Sequence, residues 1–341
     1  MIELLAVLGF PLAGAAVLAL IGERRQAPVV NVAASFLTFL AAVALTLRVI
    51  VDGPLLVLDR QFFVDPFNVF LVALTAFVGL TTSIFSRPYM QIEQEHGRLT
   101  AGRLRLYHSM YQLFNCTMLV ALLTNNMGIL WVAMEAATLT TVLLVSLYRT
   151  PASLEAAWKY FILCGVGIAQ ALFGTILLYF AAEQVLGAGG GALLWTELDR
   201  VKGNLEPTVL SIAFVFLLVG YGTKVGLVPL HNWLPDAHAE GPTPVSAVLS
   251  ETHHQLTGER TVQRSFDENF AADDRIQRDV EQEPGQHRRY RRRTLGVGVR
   301  QPVVQRDQAD LGPVADQQEH ERERQHGRLE LPFHAVQFRP E

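Results

Sequence analysis

Seven long apolar segments follow one another through the first two thirds of the chain and constrain its fold more than any other feature. Each approaches or exceeds the roughly 18–20 apolar residues that an α-helix needs to cross a ~30 Å hydrocarbon core. Unpaired backbone groups are too costly in lipid, so such segments cross as helices. The sequence therefore predicts an all-α, polytopic transmembrane helix bundle with spans at about Ile2–Ile21, Pro28–Ile50, Val64–Phe85, Tyr107–Thr124, Met127–Leu147, Ala156–Ala182 and Thr208–Leu230.

An eighth helix is predicted to start at Pro242, because the proline-led sequence PTPVSAVLS is typical of a helix beginning. Its apolar character stops at Glu251. The loops after the first, third and fifth spans hold most of the arginines of this region, and the positive-inside rule places those loops in the cytoplasm. The N-terminus is then expected outside. A cleaved signal peptide is the other interpretation of the first segment, but Glu3 stands where such peptides carry a positive charge.

A single lysine, Lys224, lies near the end of the seventh apolar segment. An ammonium group at this depth costs roughly 2.5–3.5 kcal/mol on insertion scales, so such a lysine usually faces a protein interior or a hydrated path. Gly222, Gly226 and Pro229 surround it. Glycine relaxes the backbone and proline removes a helix donor, so these three residues predict an interrupted helix. Interrupted helices of this kind line ion and proton sites in transporters.

A glutamate, Glu135, lies near the middle of the fifth segment, in ILWVAMEAATL. A lone carboxylate at this depth favours its neutral form, and a nearby cation reverses that preference. One interpretation is a neutral glutamate that hydrogen-bonds to a neighbouring helix. The other is a functional site, because ionisable side chains inside membranes are functional candidates by default.

Three further residues are candidates for proton transfer. Lys159 follows Glu155 by four residues, so the two share a helix face. Either an interfacial ion pair with a snorkelling lysine or a place in a proton path fits this spacing. His231 and His238 lie in PLHNWLPDAH, beside the predicted helix break. Imidazole titrates near neutral pH and suits proton relay, although a loop histidine can also simply bond to the backbone.

The composition excludes a redox centre in this chain. Half of the residues are hydrophobic and only 18% are charged, which is typical of a membrane protein. Two cysteines, Cys116 and Cys164, are too few and too far apart for an iron–sulfur cluster, a zinc site or a disulfide framework. We therefore expect no cofactor, no metal site and no catalytic residue of its own.

A resemblance to a known family is carried by residues 220–250, GYGTKVGLVPLHNWLPDAHAEGPTPVSAVLS. This segment resembles the signature of the antiporter-like proton-translocating subunits shared by respiratory complex I, the membrane-bound hydrogenases and the multisubunit sodium/proton antiporters. Residues 87–99, 125–148 and 153–179 are most similar to the F component of hydrogenase-4. The resemblance covers about residues 1–250 and implies the first inverted repeat of an antiporter-like fold.

This resemblance also implies a function. It indicates a proton-translocating, non-redox membrane subunit of a hydrogenase or complex I-like oxidoreductase in a bacterial inner membrane. The expected partners are other membrane and peripheral subunits of that assembly, together with the lipid bilayer. In related subunits a glutamate of the fifth helix pairs with a lysine of the interrupted seventh helix, and Glu135 and Lys224 match those positions. A carboxylate holds the lysine charged, and its withdrawal lets the lysine release a proton.

Two alternatives remain open at this point. The same motifs permit a sodium/proton antiporter subunit. The family's second repeat has no counterpart after about residue 250, which instead favours a non-conducting truncated fragment or a structural anchor.

The character of the sequence changes after Ser250, which divides the chain into a predicted membrane domain, 1–250, and a tail, 251–341. The tail holds 15 arginines and no lysine, and more than half of all charged residues. Such a composition predicts disorder, and the arginine bias fits translation in another reading frame. A genuine basic tail is the competing interpretation, with HRRYRRR as a lipid-binding patch. Acidic neighbours dilute this patch and no nucleic-acid-binding signature accompanies it, so we expect no nucleic-acid partner.

Overall fold

Ten α-helices and a short hairpin make up residues 1–187 and 190–257, the part of the chain that the computed structural model describes. The hairpin pairs β1 (Leu55–Val57) antiparallel with β2 (Phe62–Val64). The predicted all-α fold is confirmed. The helices are α1 (Ile2–Ile21), α2 (Ala27–Asp52), α3 (Pro66–Glu95), α4 (Ala101–Leu123), α5 (Met127–Val145), α6 (Pro151–Leu186), α7 (Trp195–Val201), α8 (Pro207–Val225), α9 (Leu234–Glu240) and α10 (Thr243–Thr257).

Six of the described helices are long and apolar enough to cross a membrane: α1, α2, α3, α5 with its following turn, α6 and α8. They correspond to six of the seven predicted spans. The remaining predicted span, Tyr107–Thr124, forms most of α4, which is helical but less apolar than the others. The chain is therefore a multi-pass membrane protein whose most polar long helix lies among apolar ones.

The end of the described region departs from the sequence pattern. Helix α10 begins at Thr243, next to the predicted start at Pro242, and its backbone stays helical to Thr257, beyond Glu251 where the apolar pattern stops. The predicted tail lies outside the described residues from position 258 onward.

Helix beginnings are set by short polar residues followed by proline. Asp65 caps α3 by accepting from the backbone N–H of Asn68, whose side chain accepts in return from the Asp65 backbone. Thr150 and Glu206 cap α6 and α8 in the same way, and each precedes a proline at the first helical position. Because these side chains satisfy N–H groups that would otherwise be unpaired, each helix starts at a defined residue.

Helix α4 lies against α1, α3 and α5, and its polar side chains point inward. His108, Gln112 and Asn115 are almost fully buried, on one face of the helix. The Gln112 amide donates to the backbone carbonyl and side-chain oxygen of Asn31 at 3.0 and 2.9 Å and to the Ser35 hydroxyl at 2.8 Å, which connects α4 to α2. These bonds explain how a polar helix is stable inside an apolar bundle.

Helices α6 and α8 approach each other closely because glycine lies at their contact. A Cβ atom on Gly220 of α8 would lie 2.6 Å from the carbonyl oxygen of Gly167 of α6. A Cβ atom on Gly174 would lie 2.9 Å from the carbonyl oxygen of Ala213. Small residues at such positions let membrane helices pack backbone to backbone. This close approach brings the C-terminal end of α8 against the middle of α6.

Candidate functional site: the helix break and its lysine

The C-terminal end of α8 is a sharp break in the membrane helix. Helix α8 stops at Val225, and Gly226 takes the left-handed conformation (φ 74°) that closes many helices. The backbone N–H groups of Gly226 and Leu227 both turn back to the carbonyl of Gly222, the latter at 2.8 Å. Pro229 lies in the turns that follow, before α9 begins at Leu234. Backbone carbonyls are thus redirected next to a charged side chain.

Lys224 lies one residue before the end of α8 and points into the protein. Its ammonium donates a hydrogen bond of 2.6 Å to the hydroxyl of Tyr160 on α6. The nitrogen also lies 4.9 Å from the centre of the Tyr160 ring, within the range of a cation–π contact. Among the residues that the structure describes, no carboxylate forms an ion pair with Lys224. A phenol is therefore the lysine's direct partner.

Tyr160 joins three structural elements at this point. Its side chain is fully buried, and its hydroxyl lies 2.6 Å from the Thr141 hydroxyl on α5. Its ring packs against the indole of Trp233, with centroids 4.5 Å apart, and that indole donates to the carbonyl of Thr223 at 2.8 Å. The phenol is consequently held in one position between α5, α8 and the break.

Glu135 lies on α5, on the same side of the bundle. Its carboxylate interacts electrostatically with both Lys224 and Tyr160. One carboxylate oxygen, Oε2, is buried and has no hydrogen-bond partner within residues 1–187 and 190–257. The expected direct Glu135–Lys224 ion pair is absent among the described residues, and the functional coupling of the two groups stays a hypothesis.

Lys159 lies outside this cluster, in an exposed charge group. Its ammonium contacts the carboxylate of Glu155 at 2.8 Å, as the spacing of four residues predicts. It also contacts Asp236 on α9 at 2.9 Å. The side chains of Lys159 and Asp236 are 48% and 43% exposed in the isolated chain. This group ties the segment after the break to the first turns of α6.

The two candidate histidines lie on the far side of the break. The Nδ1 atom of His238 lies 2.6 Å from the Ser246 hydroxyl on α10. The Nδ1 atom of His231 is buried and has no hydrogen-bond partner in the described part of the chain. The structure thus brings Lys224 to Tyr160, with Glu135 in electrostatic contact with both, whereas Lys159 contacts Asp236 of α9 and His238 belongs to α9.

Sequence reasoning missed the central phenol. Tyr160 lies in the apolar run AAWKYFILC, where an aromatic residue indicates core packing. Its neighbour Lys159 is recognisable as a candidate because it is charged. The side chains of Lys159 and Tyr160 nevertheless project about 100° apart on the helix. Only the close α6–α8 contact identifies Tyr160 as the partner of Lys224.

The described residues contain no group of three or more His, Cys, Asp or Glu side chains that could hold a metal ion. The groups near the break are an amine, a phenol, a carboxylate and the hydroxyl of Thr141. All four groups can give or accept a proton or a hydrogen bond.

Comparison with known proteins supports the resemblance found in the sequence. Residues 124–272 match the family model described as "NADH:quinone oxidoreductase/Mrp antiporter, TM". This match includes α5, α6 and α8, and it continues past Ser250. The chain is similar to the hydrogenase-4 component F homolog of Methylacidiphilum infernorum (isolate V4), with 50% identity over 245 residues. That alignment covers 72% of this chain and 50% of the relative.

Solved structures support the same fold. A chain of the membrane-bound sulfane sulfur reductase, an archaeal respiratory membrane complex, matches with a TM-score of 0.63 and 20% identity, over 74% of this chain and 51% of that one. A chain of respiratory complex I from Thermus thermophilus matches with a TM-score of 0.54 and 25% identity, over 72% and 51%. The protein thus spans about half the length of these relatives. Its residues 124–272 are similar to the membrane domain that the NADH:quinone oxidoreductase/Mrp antiporter family model describes.

Proposed function

We propose that the protein is a proton-translocating membrane subunit of a hydrogenase or complex I-like oxidoreductase, and that residues 1–250 form its antiporter-like domain. The observation that carries this proposal is the partly buried Lys224 at a broken membrane helix, hydrogen-bonded to Tyr160. Isolated charges at such depth are costly and belong to functional paths more often than to packing. The relative named as a hydrogenase-4 component F homolog supports the choice of complex.

The proposed switch uses the electrostatic interaction between Glu135 and Lys224. When the Glu135 carboxylate is ionised, it stabilises the Lys224 ammonium through the Coulomb interaction between them. When Glu135 is neutralised or withdrawn, the ammonium loses that support and releases its proton. The Tyr160 hydroxyl accepts from the ammonium, and it can turn to donate to the neutral amine. Lys159, His231 and His238 are proposed to serve as relay groups on the α9 side.

The partner subunits and the membrane location are proposed from the same resemblance. Other membrane and peripheral subunits would perform the electron transfer, and this chain would contribute conduction. The proposed location is a bacterial inner membrane, with the N-terminus outside because the positive-inside rule favours the cytoplasm for the arginine-rich loops. Reporter fusions in the loop after α1 test that orientation, because a cytoplasmic reporter activity is expected there.

Charge-neutralising variants test the switch in the intact complex. Glu135→Gln and Lys224→Ala should abolish this subunit's share of proton pumping while electron transfer continues. Glu183→Gln and Lys202→Ala are the matched controls. Glu183 accepts a hydrogen bond from Tyr179 within α6, away from the helix break, and Lys202 is an exposed residue between α7 and α8. Pumping at the wild-type ratio in both site variants would contradict the proposed pair.

A sodium/proton antiporter subunit is the second candidate, because the matching family model includes Mrp antiporters. The two candidates differ in the ion that moves. Sodium uptake that continues without any redox substrate would favour the antiporter, whereas proton movement that depends on electron transfer and not on sodium supports the first proposal.

A further inference from the structure

A second buried carboxylate, Glu93, lies near the C-terminal end of α3, far along the chain from the helix break. Its side chain is among the buried polar residues, at 5% exposure, although it lies in the strongly polar segment RPYMQIEQEHGRL. Its Oε1 atom accepts from the guanidinium of Arg98 at 3.2 Å. Its Oε2 atom is buried and unpartnered within the described residues. Such half-satisfied carboxylates are rare in protein interiors and call for an explanation.

Arg98 connects this carboxylate to the aqueous phase. The arginine side chain is 51% exposed, so its bond to Glu93 can open to water without unfolding any element. Arg103 lies alongside and donates to the carbonyl oxygens of Arg98 and Tyr148, at 3.3 and 3.2 Å. Glu93 therefore lies just beneath a positively charged, water-exposed surface, with its free oxygen toward the protein interior.

A line of partly buried hydroxyl groups leads away from Glu93. The carboxylate interacts electrostatically with Tyr148, which follows α5. The Tyr148 hydroxyl lies 3.1 Å from that of Tyr89, one turn before Glu93 on α3. The hydroxyl of Thr243, the first residue of α10, donates to Tyr89 at 3.4 Å. These groups come from three separate elements, so their alignment does not follow from any one helix.

The same line reaches a candidate relay residue. Ser246 follows Thr243 by three residues on α10, so their side chains are neighbours on one helix face and within reach of one bridging water. The Ser246 hydroxyl lies 2.6 Å from His238 Nδ1 on α9. Helix α9 also carries Asp236, the partner of Lys159. Polar groups thus run from the exposed arginines to the segment after the helix break.

We infer that Glu93 is the proton-uptake site of this subunit, and that Tyr148, Tyr89, Thr243 and Ser246 pass the proton on to His238. Each hydroxyl accepts one proton and gives up its own, so O–H bonds form and break without any electron transfer. This inference rests on the proposed function, because uptake has meaning only for a chain that conducts protons. A purely structural role, in which Glu93 and Arg98 hold the α3–α4 loop, is the competing interpretation.

The decisive experiment compares Glu93→Gln with wild type in vesicles that carry the assembled complex, and measures protons moved per electron transferred. We expect at least a tenfold slower proton transfer, with assembly and redox activity on native gels unchanged. Glu95→Gln is the matched control, because Glu95 is an exposed carboxylate on the same helix. Glu93→Asp should recover part of the rate. Equal pumping by Glu93→Gln and wild type would overturn the inference.

A second variant and the wild-type pumping measurement separate the possible causes of a lost proton transfer. Tyr89→Phe keeps the ring but removes the central hydroxyl without touching the Glu93–Arg98 bond, so it should reproduce the loss. If Glu93→Gln does not assemble, Tyr89→Phe decides alone, and a wild-type rate in that variant refutes the path. Absence of pumping in the wild-type complex would instead contradict the proposed function itself.

Discussion

Lys224 donates a 2.6 Å hydrogen bond to the hydroxyl of Tyr160. The phenol therefore occupies the position next to the ammonium that sequence reasoning assigned to Glu135. Since Tyr160 also contacts Thr141, any movement of α5 relative to α8 reaches the lysine through this one side chain. The pair of charges and the phenol are best tested separately.

Removal of the Tyr160 hydroxyl should slow proton transfer without disturbing the fold. A hydrogen bond to a charged group is worth about 1.5–3 kcal/mol, so Tyr160→Phe should lower the pumping rate by roughly tenfold or more. The Phe ring keeps the contact with Trp233. Tyr179→Phe on the same helix is the control. A normal pumping rate in Tyr160→Phe would show that the lysine works without its phenol.

Gly220→Ala should destabilise the bundle. The added Cβ would lie 2.6 Å from the Gly167 carbonyl, which is backbone and cannot move aside cheaply. Overpacking of this kind costs about 1–3 kcal/mol, and a lower melting temperature in detergent would report it. Gly165→Ala is the control, because its Cβ would meet no atom within 4 Å. Similar melting temperatures for the two variants would contradict the close α6–α8 packing.

Gln112→Leu should also lower stability, for a different reason. The change removes the amide NH2 group whose two hydrogens Asn31 and Ser35 share, and it leaves their polar atoms buried. At roughly 0.5–1.5 kcal/mol for each of two bonds, the free energy of unfolding should fall by about 1–3 kcal/mol. Gln91→Leu removes an exposed amide from α3 and should have little effect. A Gln112→Leu protein as stable as wild type would mean that α2 and α4 are held by apolar contacts alone.

The N-terminal cap of α8 predicts a pH dependence. The backbone N–H of Val209 donates to Glu206 at 2.6 Å, and this bond lowers the pKa of the Glu206 carboxyl. Because the folded pKa lies below the unfolded one, the cap contributes stability above the unfolded pKa and loses it as the pH falls through the lowered folded pKa. Melting of wild type and Glu206→Gln should differ at neutral pH and converge in acid. A difference that does not change with pH would exclude this charge effect.

The sequence indicates the candidate site where charge interrupts an apolar run. Lys224 and Glu135 are visible in this way, and Gly226 marks the end of α8. Tyr160 is not visible, because its role depends on how closely two helices approach, and hydrophobic periodicity carries no such information. Glu93 is hidden for the opposite reason. It lies in a polar segment predicted as a loop after Phe85, whereas α3 continues to Glu95 and neighbouring elements bury the carboxylate.

The inward polar face of α4 has a consequence for how the chain is made. A helix that carries His108, Gln112 and Asn115 is poorly stabilised in lipid by itself, since each of these groups must find a partner there. Gln112 finds its partners, Asn31 and Ser35, on α2, which leaves the ribosome before α4, as do α1 and α3. We therefore expect α4 to integrate only after those earlier helices have been inserted and can receive it. During synthesis, the membrane orientation of the helices after residue 123 then depends on α4, which the earlier helices hold in the bilayer.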